Sequence, residues 1–146
     1  MRINDLTTAD ALPALEAMMR FAEQRHTLIN SNIANLDTPG YVTRDVSVPD
    51  FQRRLGEAID DRRGRTWGTR GELCIRRGPE FEPGGDGRFT IQPRTPSGNV
   101  LFHDRNDRDL EGLMQDLVEN TGAFRLAAQL YTNRINLLGQ AISLRV

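Results

Sequence analysis

Lysine is absent from this chain of 146 residues, whose 19 basic residues are all arginine. The usual flexible ammonium is therefore missing, and planar guanidinium groups are left to pair with 20 carboxylates. One cysteine, Cys74, excludes an internal disulfide framework and a thiolate metal cage. No apolar run approaches the roughly 20 residues needed to span a bilayer. Net charge is only -1, so the chain has no general attraction for nucleic acid or anionic lipid. The start, "MRINDLTTADALPALEAMM", has acids near its front and no continuous apolar core, so it does not read as a cleavable secretory signal. The chain is expected either to stay in the cytoplasm or to leave it by a route that needs no such signal.

What is present divides into three parts. A hydrophobic content of 38% with 27% charged residues and a mean hydropathy of -0.52 allows one domain with a moderate core. Ten of the 13 glycines lie between Gly40 and Gly98, and six of the seven prolines between Pro39 and Pro96. Helix is therefore expected at the two ends only. The divisions are 1–37 for an N-terminal helix, 38–108 for a turn and irregular region, and 109–146 for a C-terminal helix.

In the first part Leu15, Met19, Ala22, His26, Ile29, Ile33 and Leu36 recur at steps of four and three, which is one narrow, coiled-coil-like helical face. Thr8 or Asp10 suits the cap, and Pro13 fits the first turn. The helix is expected to stop near Asn35 to Asp37, because Pro39 biases Thr38 away from the α region and Gly40 readily takes positive φ. Pro39-Gly40 suits the centre of a type II turn.

The last part carries the longer pattern: Leu110, Met114, Leu117, Thr121, Phe124, Ala128, Tyr131, Ile135, Leu138 and Ile142. A second row, Leu113, Ala127, Leu130, Leu137 and Leu144, broadens the stripe. Running from Asp109 to about Ser143, with Asp107 or Asp109 as cap, this helix would be roughly 50 Å long. Coiled coils and helical assemblies use such lengths more than small domains do. The expected fold is mainly α, with two long terminal helices packed as a coiled-coil-like pair. The Gly/Pro-rich middle is expected to be irregular, with a small β-hairpin made by "ELCIRR" and "RFTIQP" around Gly84 to Gly87. The stretch "DDRRGRTWGTRG" reads as a mobile loop.

Catalytic patterns are not assembled. His26 sits on an apolar helical stripe, and the better reading is a packing or interface residue. His103, beside Asp104 and Asp107, has no second histidine nearby, so a cap or solvated cluster is favoured over a metal site. Cys74 lacks a base and oxyanion donors, and "PGGDGRF" matches no phosphate-binding loop. The rival signal is arginine clustering: Arg53-Arg54, Arg62-Arg63, Arg65, Arg70 and Arg76-Arg77 around Trp67. Such a loop can grip single-stranded RNA. Glu57, Asp60, Asp61, Glu72, Glu80 and Glu82 interleave with these arginines and cancel most of the field.

Asn32-Ile33-Ala34-Asn35, two residues, then Thr38-Pro39-Gly40-Tyr41 closely resembles the signature of the bacterial flagellar rod and hook family. "NDRDLEGLM" resembles that family's entry into its C-terminal helix, where Asn106, Asp109, Leu110, Glu111 and Met114 match. The short length, together with the "RD" that follows the turn, makes the chain most similar to the short proximal rod subunits. Val42 stands where a basic residue is usual and Arg108 where an apolar one is usual. The match covers Glu23 to about Phe51 and Asn106 onward; between them it amounts to little more than "PRTPSGN".

The resemblance implies a structural subunit with no catalytic residue, cofactor, metal site, nucleic-acid partner or membrane span. Its implied partners are copies of itself, other rod subunits, and the membrane ring and export apparatus of the basal body. Its implied place is the periplasmic rod, reached through the flagellar type III export apparatus without a cleaved signal. The assembly motif would be Asn32, Ile33, Ala34, Asn35, Thr38, Pro39, Gly40 and Tyr41. The packing residues would be Leu15, Met19, Ala22, Ile29 and Ile33 on the first helix, with Leu117, Phe124, Ala128, Tyr131, Ile135, Leu138 and Ile142 on the last.

Overall fold

The computed structural model describes residues 11–66, 72–85, 88–95 and 109–143. Helix α1 is Leu12–Ala34, α2 is Val48–Thr66, strand β1 is Phe81–Pro83, β2 is Phe89–Ile91, and α3 is Leu110–Ser143. The fold is mainly helical, the two terminal helices pack against each other, and a two-stranded antiparallel hairpin lies in the middle. Asn120 reaches the Ala22 carbonyl and Asp116 reaches Arg25. Residue numbers thus fall along one helix as they rise along the other, and the pair runs antiparallel.

Helix α1 begins without a side-chain cap at Ala11, and Pro13 lies in its first turn. The alternative caps Thr8 and Asp10 lie outside the described residues. It ends at Ala34 with Asn35 as C-cap, where Pro39 and Gly40 placed the stop. Helix α3 is capped by Asp109, whose Oδ1 accepts from the Gly112 N–H at 2.9 Å. Its 34 residues make it about 51 Å long.

Helix α2 corrects the expectation of helix at the two ends only. The backbone N–H of Asp50 donates to Ser47 Oγ at 3.2 Å, so Ser47 caps the start, and Pro49 occupies the first turn. Phe51, Leu55, Ala58 and Arg62 then recur at steps of four, three and four, and all four are buried. Residues 60–66, read as loop, are helical; Trp67 and the rest of that stretch lie outside the described residues.

The hairpin also differs in its first strand. Phe81 pairs with Ile91, Glu82 with Thr90 and Pro83 with Phe89, while residues 72–77 join no ladder. Pro83 is tolerated because a two-stranded sheet has only edge strands. The backbone of β2 is held from the side by Gln24 of α1, which donates to the Phe89 carbonyl at 3.3 Å and accepts from the Ile91 N–H at 3.0 Å.

The core joins these middle elements to α1. Its centre is four phenylalanines from four elements: Phe21 stacks on Phe51 at 4.0 Å between centroids, and Phe51 lies 6.0 Å from Phe81 and 5.8 Å from Phe89. Ala17, Val46, Leu55, Ala58, Leu73 and Ile75 complete the cluster. Arg54 closes its edge, with its guanidinium over the Phe81 ring and its Nη1 donating to the Arg76 and Arg77 carbonyls. Gly78 makes room for it, since a Cβ there would sit 2.1 Å from the guanidinium carbon.

No residue of α3 belongs to this cluster. The helix lies instead across a cleft of about 250 Å³ between α1 and α2, lined by Met18, Phe21, Val48, Phe51, Leu55 and Ala123 among others.

Candidate functional site

The break after α1 is built around one side chain. Asn32 is 2% exposed, and both the oxygen and the nitrogen of its amide are bonded. Its Nδ2 donates to the Arg44 carbonyl at 2.7 Å, while its Oδ1 accepts from the Tyr41 hydroxyl at 2.9 Å and from the Arg44 N–H at 3.2 Å. A primary amide is the group for this task, because it offers a donor and an acceptor on one planar end. Tyr41 is half-buried, and its hydroxyl is bonded as the sequence suggested.

The turn between them satisfies the end of the helix. The N–H of Asn35 reaches the Ser31 and Asn32 carbonyls, and its side-chain amide donates to the Ser31 carbonyl at 2.8 Å. The Tyr41 N–H donates to the Thr38 carbonyl at 3.1 Å, and Gly40 has φ 74°, which with Pro39 before it makes the type II turn. A Cβ on Gly40 would meet no atom within 4 Å, so the position demands glycine for its backbone alone. Gly40→Val should therefore lower stability by about 1–2 kcal/mol through left-handed strain. Urea denaturation with an unchanged midpoint would count against it.

A second constellation escaped the sequence reading. Arg25, 5% exposed on α1, donates from Nε and Nη2 to the two Asp45 oxygens at 3.0 and 2.8 Å, and from Nη2 to Asp116 of α3 at 2.9 Å. Burial works against its charge, but the hydrogen bonds and charge of Asp45, then of Asp116, outweigh that and hold its pKa above the ordinary value. Asp45 itself exchanges backbone hydrogen bonds with Arg94 at 2.9 and 3.0 Å. Arg25 thus ties α1, the chain leaving the turn and α3 at one point. Asn120 adds a second tie by donating to the Ala22 carbonyl at 2.8 Å. An arginine and an asparagine on otherwise apolar rows look like interruptions. The usable signal was that Arg25 sits one turn from Ala22 and Ile29, with Asp45 just beyond the turn.

Of the expected packing residues, Ala22 and Ile29 are buried, and Leu15, Met19, Ile33, Leu117, Ala128, Tyr131 and Leu138 are half-buried. Phe124, Ile135 and Ile142 stay exposed in the single chain. Ala34, Thr38, Pro39 and Gly40 are at the surface. Along α3, Val118 is 70% exposed, Leu126 59% and Leu137 57%, with Leu110, Met114 and Leu130 also open. His26 is exposed, and His103 lies outside the described residues.

The arginine cluster is largely self-paired. Arg53 pairs with Asp50 and Glu57, Arg54 with Asp50, Arg76 with Asp61, and Arg77 with Glu82. Arg62 is buried, and burial lowers its pKa. Among the described residues no three potential metal ligands lie together, and no helix is long and apolar enough to cross a membrane.

No family model matches the chain. It is similar to the flagellar basal body rod protein FlgB of Yersinia enterocolitica, with 28% identity over 138 residues, which is 90% of this chain and 92% of that protein. A likeness of that extent reaches into both terminal helices. Taken with the turn at the end of α1, where Asn32 holds Tyr41 and Arg44, this likeness supports a structural subunit of the flagellar rod protein kind rather than an enzyme.

Proposed function

We propose that the chain is a subunit of the proximal rod of the flagellar basal body. In that role it links the membrane ring and export apparatus to the rest of the rod, and it carries motor torque through its packed terminal helices. The observation that carries this reading is the open apolar row of α3. Val118, Leu126, Leu130 and Leu137 are exposed in the single chain, and a helix of this length with that much apolar surface calls for neighbouring subunits. The likeness to the FlgB of Yersinia enterocolitica supports the same reading.

Asn32, Ile33, Ala34, Asn35, Thr38, Pro39, Gly40 and Tyr41 then act as the assembly motif by fixing the direction in which the chain leaves α1. Leu15, Met19, Ala22, Ile29, Ile33, Leu117, Ala128, Tyr131 and Leu138 hold the helix pair, and Phe124, Ile135 and Ile142 add surface for neighbours. Contacts that run head to tail around an axis propagate until a different subunit stops them. The proposed route to the periplasm is the flagellar type III export apparatus, without a cleaved signal.

Mass spectrometry of purified basal bodies from the source organism should find the chain in stoichiometric amount with ring and rod proteins. In the same background, Leu130→Asp should leave the denaturation midpoint of the isolated protein within about 0.5 kcal/mol of wild type, as surface changes usually do, and abolish swimming. Normal swimming in that mutant, or consistent absence from intact basal bodies, would sink the proposal.

A further inference from the structure

Helix α3 is covered on one side and bare on the other. Asn120 and Ala127 are buried, and Leu113 and Leu117 are half-buried on the same side. Leu110, Met114, Val118, Leu126 and Leu130 are all exposed, and with Gly122 in the middle they follow one another at uniform steps of four. A step of four carries a helix about 40° past a full turn, so these six residues form one slanted ridge. A seam of alternating fours and threes suits a neighbour that runs nearly alongside, whereas ridges of pure fours on two helices fit together at a crossing angle of about −50°. Such a crossing brings the helices closest at one point. Gly122 provides it, since a Cβ built there would meet no side chain or other segment within 4 Å.

The charges beside the ridge complement a second copy of it. Glu119 and Arg125 are exposed and stand three residues before and after Gly122, on opposite flanks. Arg125 has no hydrogen-bond or ion-pair partner among the described residues. Glu119 accepts from Gln115 Nε2 at 2.9 Å through one oxygen, which leaves the other open. When two copies cross at Gly122 with their helices in the same sense, the two-fold axis lies along the ridges, and Glu119 of each copy comes beside Arg125 of the other. Crossing in the opposite sense sets glutamate against glutamate and arginine against arginine. The same-sense crossing is therefore the one that the charges select.

We propose that the free chain forms a two-fold dimer through α3, in which the ridge from Leu110 to Leu130 packs on the same ridge of a second copy and the helices cross at Gly122. Two helices crossing at this angle touch over only a few turns, less than a stable interface buries, so the dimer is weak. A contact that uses the same patch on both partners closes at two chains and cannot propagate, so it is a state of the chain outside any filament. The dimer covers Val118, Leu126 and Leu130, and it must open before that row can meet other rod subunits. This last consequence rests on the proposed function; the dimer itself does not.

The test is sedimentation equilibrium of the full chain up to several hundred micromolar, in reductant so that Cys74 forms no covalent dimer. Wild type should dimerise reversibly. Val118→Asp, which buries a charge beside the crossing, should abolish the dimer over this range. Glu119→Arg and Arg125→Glu each set like charges together twice per dimer, and each should weaken it by on the order of tenfold. Combined, they should restore wild-type association. All three residues are exposed, and thermal unfolding of each variant checks that the fold is intact. A chain that stays monomeric throughout would overturn the proposal. So would a dimer indifferent to Val118→Asp, or a double variant no tighter than either single one. The dimer is read in solution and rod membership in purified basal bodies, so either reading can fail alone.

Discussion

Phe51→Ala should be the most damaging single substitution in the chain, costing about 3–5 kcal/mol, the range for removing a buried aromatic side chain. Phe51 touches the other three rings of the cluster, as Phe81 also does, and of the two only Phe51 has a stacked partner: it lies flat on Phe21 and tilted against Phe81 and Phe89. Those partners come from α1, β1 and β2, so its loss loosens three junctions and leaves a cavity beside the cleft that already lies under α3. Against a total stability of about 5–15 kcal/mol, this is a large share. The melting temperature should fall by on the order of 10 °C for a chain of this size. A fall of only a degree or two would mean that the four-ring cluster is not where the fold is held.

Asn32→Leu should cost about 2–3 kcal/mol, for a different reason. Leucine has the volume but none of the bonding, and the Arg44 N–H, the Arg44 carbonyl and the Tyr41 hydroxyl all lose their partner in one step. Asn32→Asp distinguishes the roles. The carboxylate still accepts from Tyr41 and the Arg44 N–H, but it sets an oxygen against the Arg44 carbonyl where the donor stood at 2.7 Å. Its stability should fall between wild type and Asn32→Leu. Hydrogen exchange at the Arg44 amide provides the local reading: protection should drop sharply in Asn32→Leu and largely persist in Asn32→Asp. Equal protection in all three would remove Asn32 from the centre of the motif.

The ends of the chain were legible because their signals are local. Pro39 and Gly40 stop α1, Asp109 caps α3, and a four-three repeat of aliphatic residues needs no knowledge of the fold to be seen. Within the turn, Asn32, Tyr41 and Gly40 were recognisable as a set, although the sequence could not tell that Asn32 serves Arg44 on the far side. Helix α2 was hidden by its own charges. Arg54 and Arg62 stand on its buried face, where an arginine reads as a break, and Gly56 and Gly64 add to that impression. Tertiary packing of Phe51, Leu55 and Ala58 overrides both. The Ser47 cap with Pro49 behind it was the clue. The hairpin's first strand was misplaced because "ELCIRR" has the better strand composition, whereas "FEP" is chosen by Phe81 finding the core.

Helix α3 supplies none of the ten residues of the core cluster, yet it carries most of the exposed large apolar side chains. What keeps the chain folded and what its outer helix presents are therefore written in different residues. Substitutions along Val118, Leu126 and Leu137 can change what this surface fits without passing through the phenylalanines, so selection can alter the two almost independently.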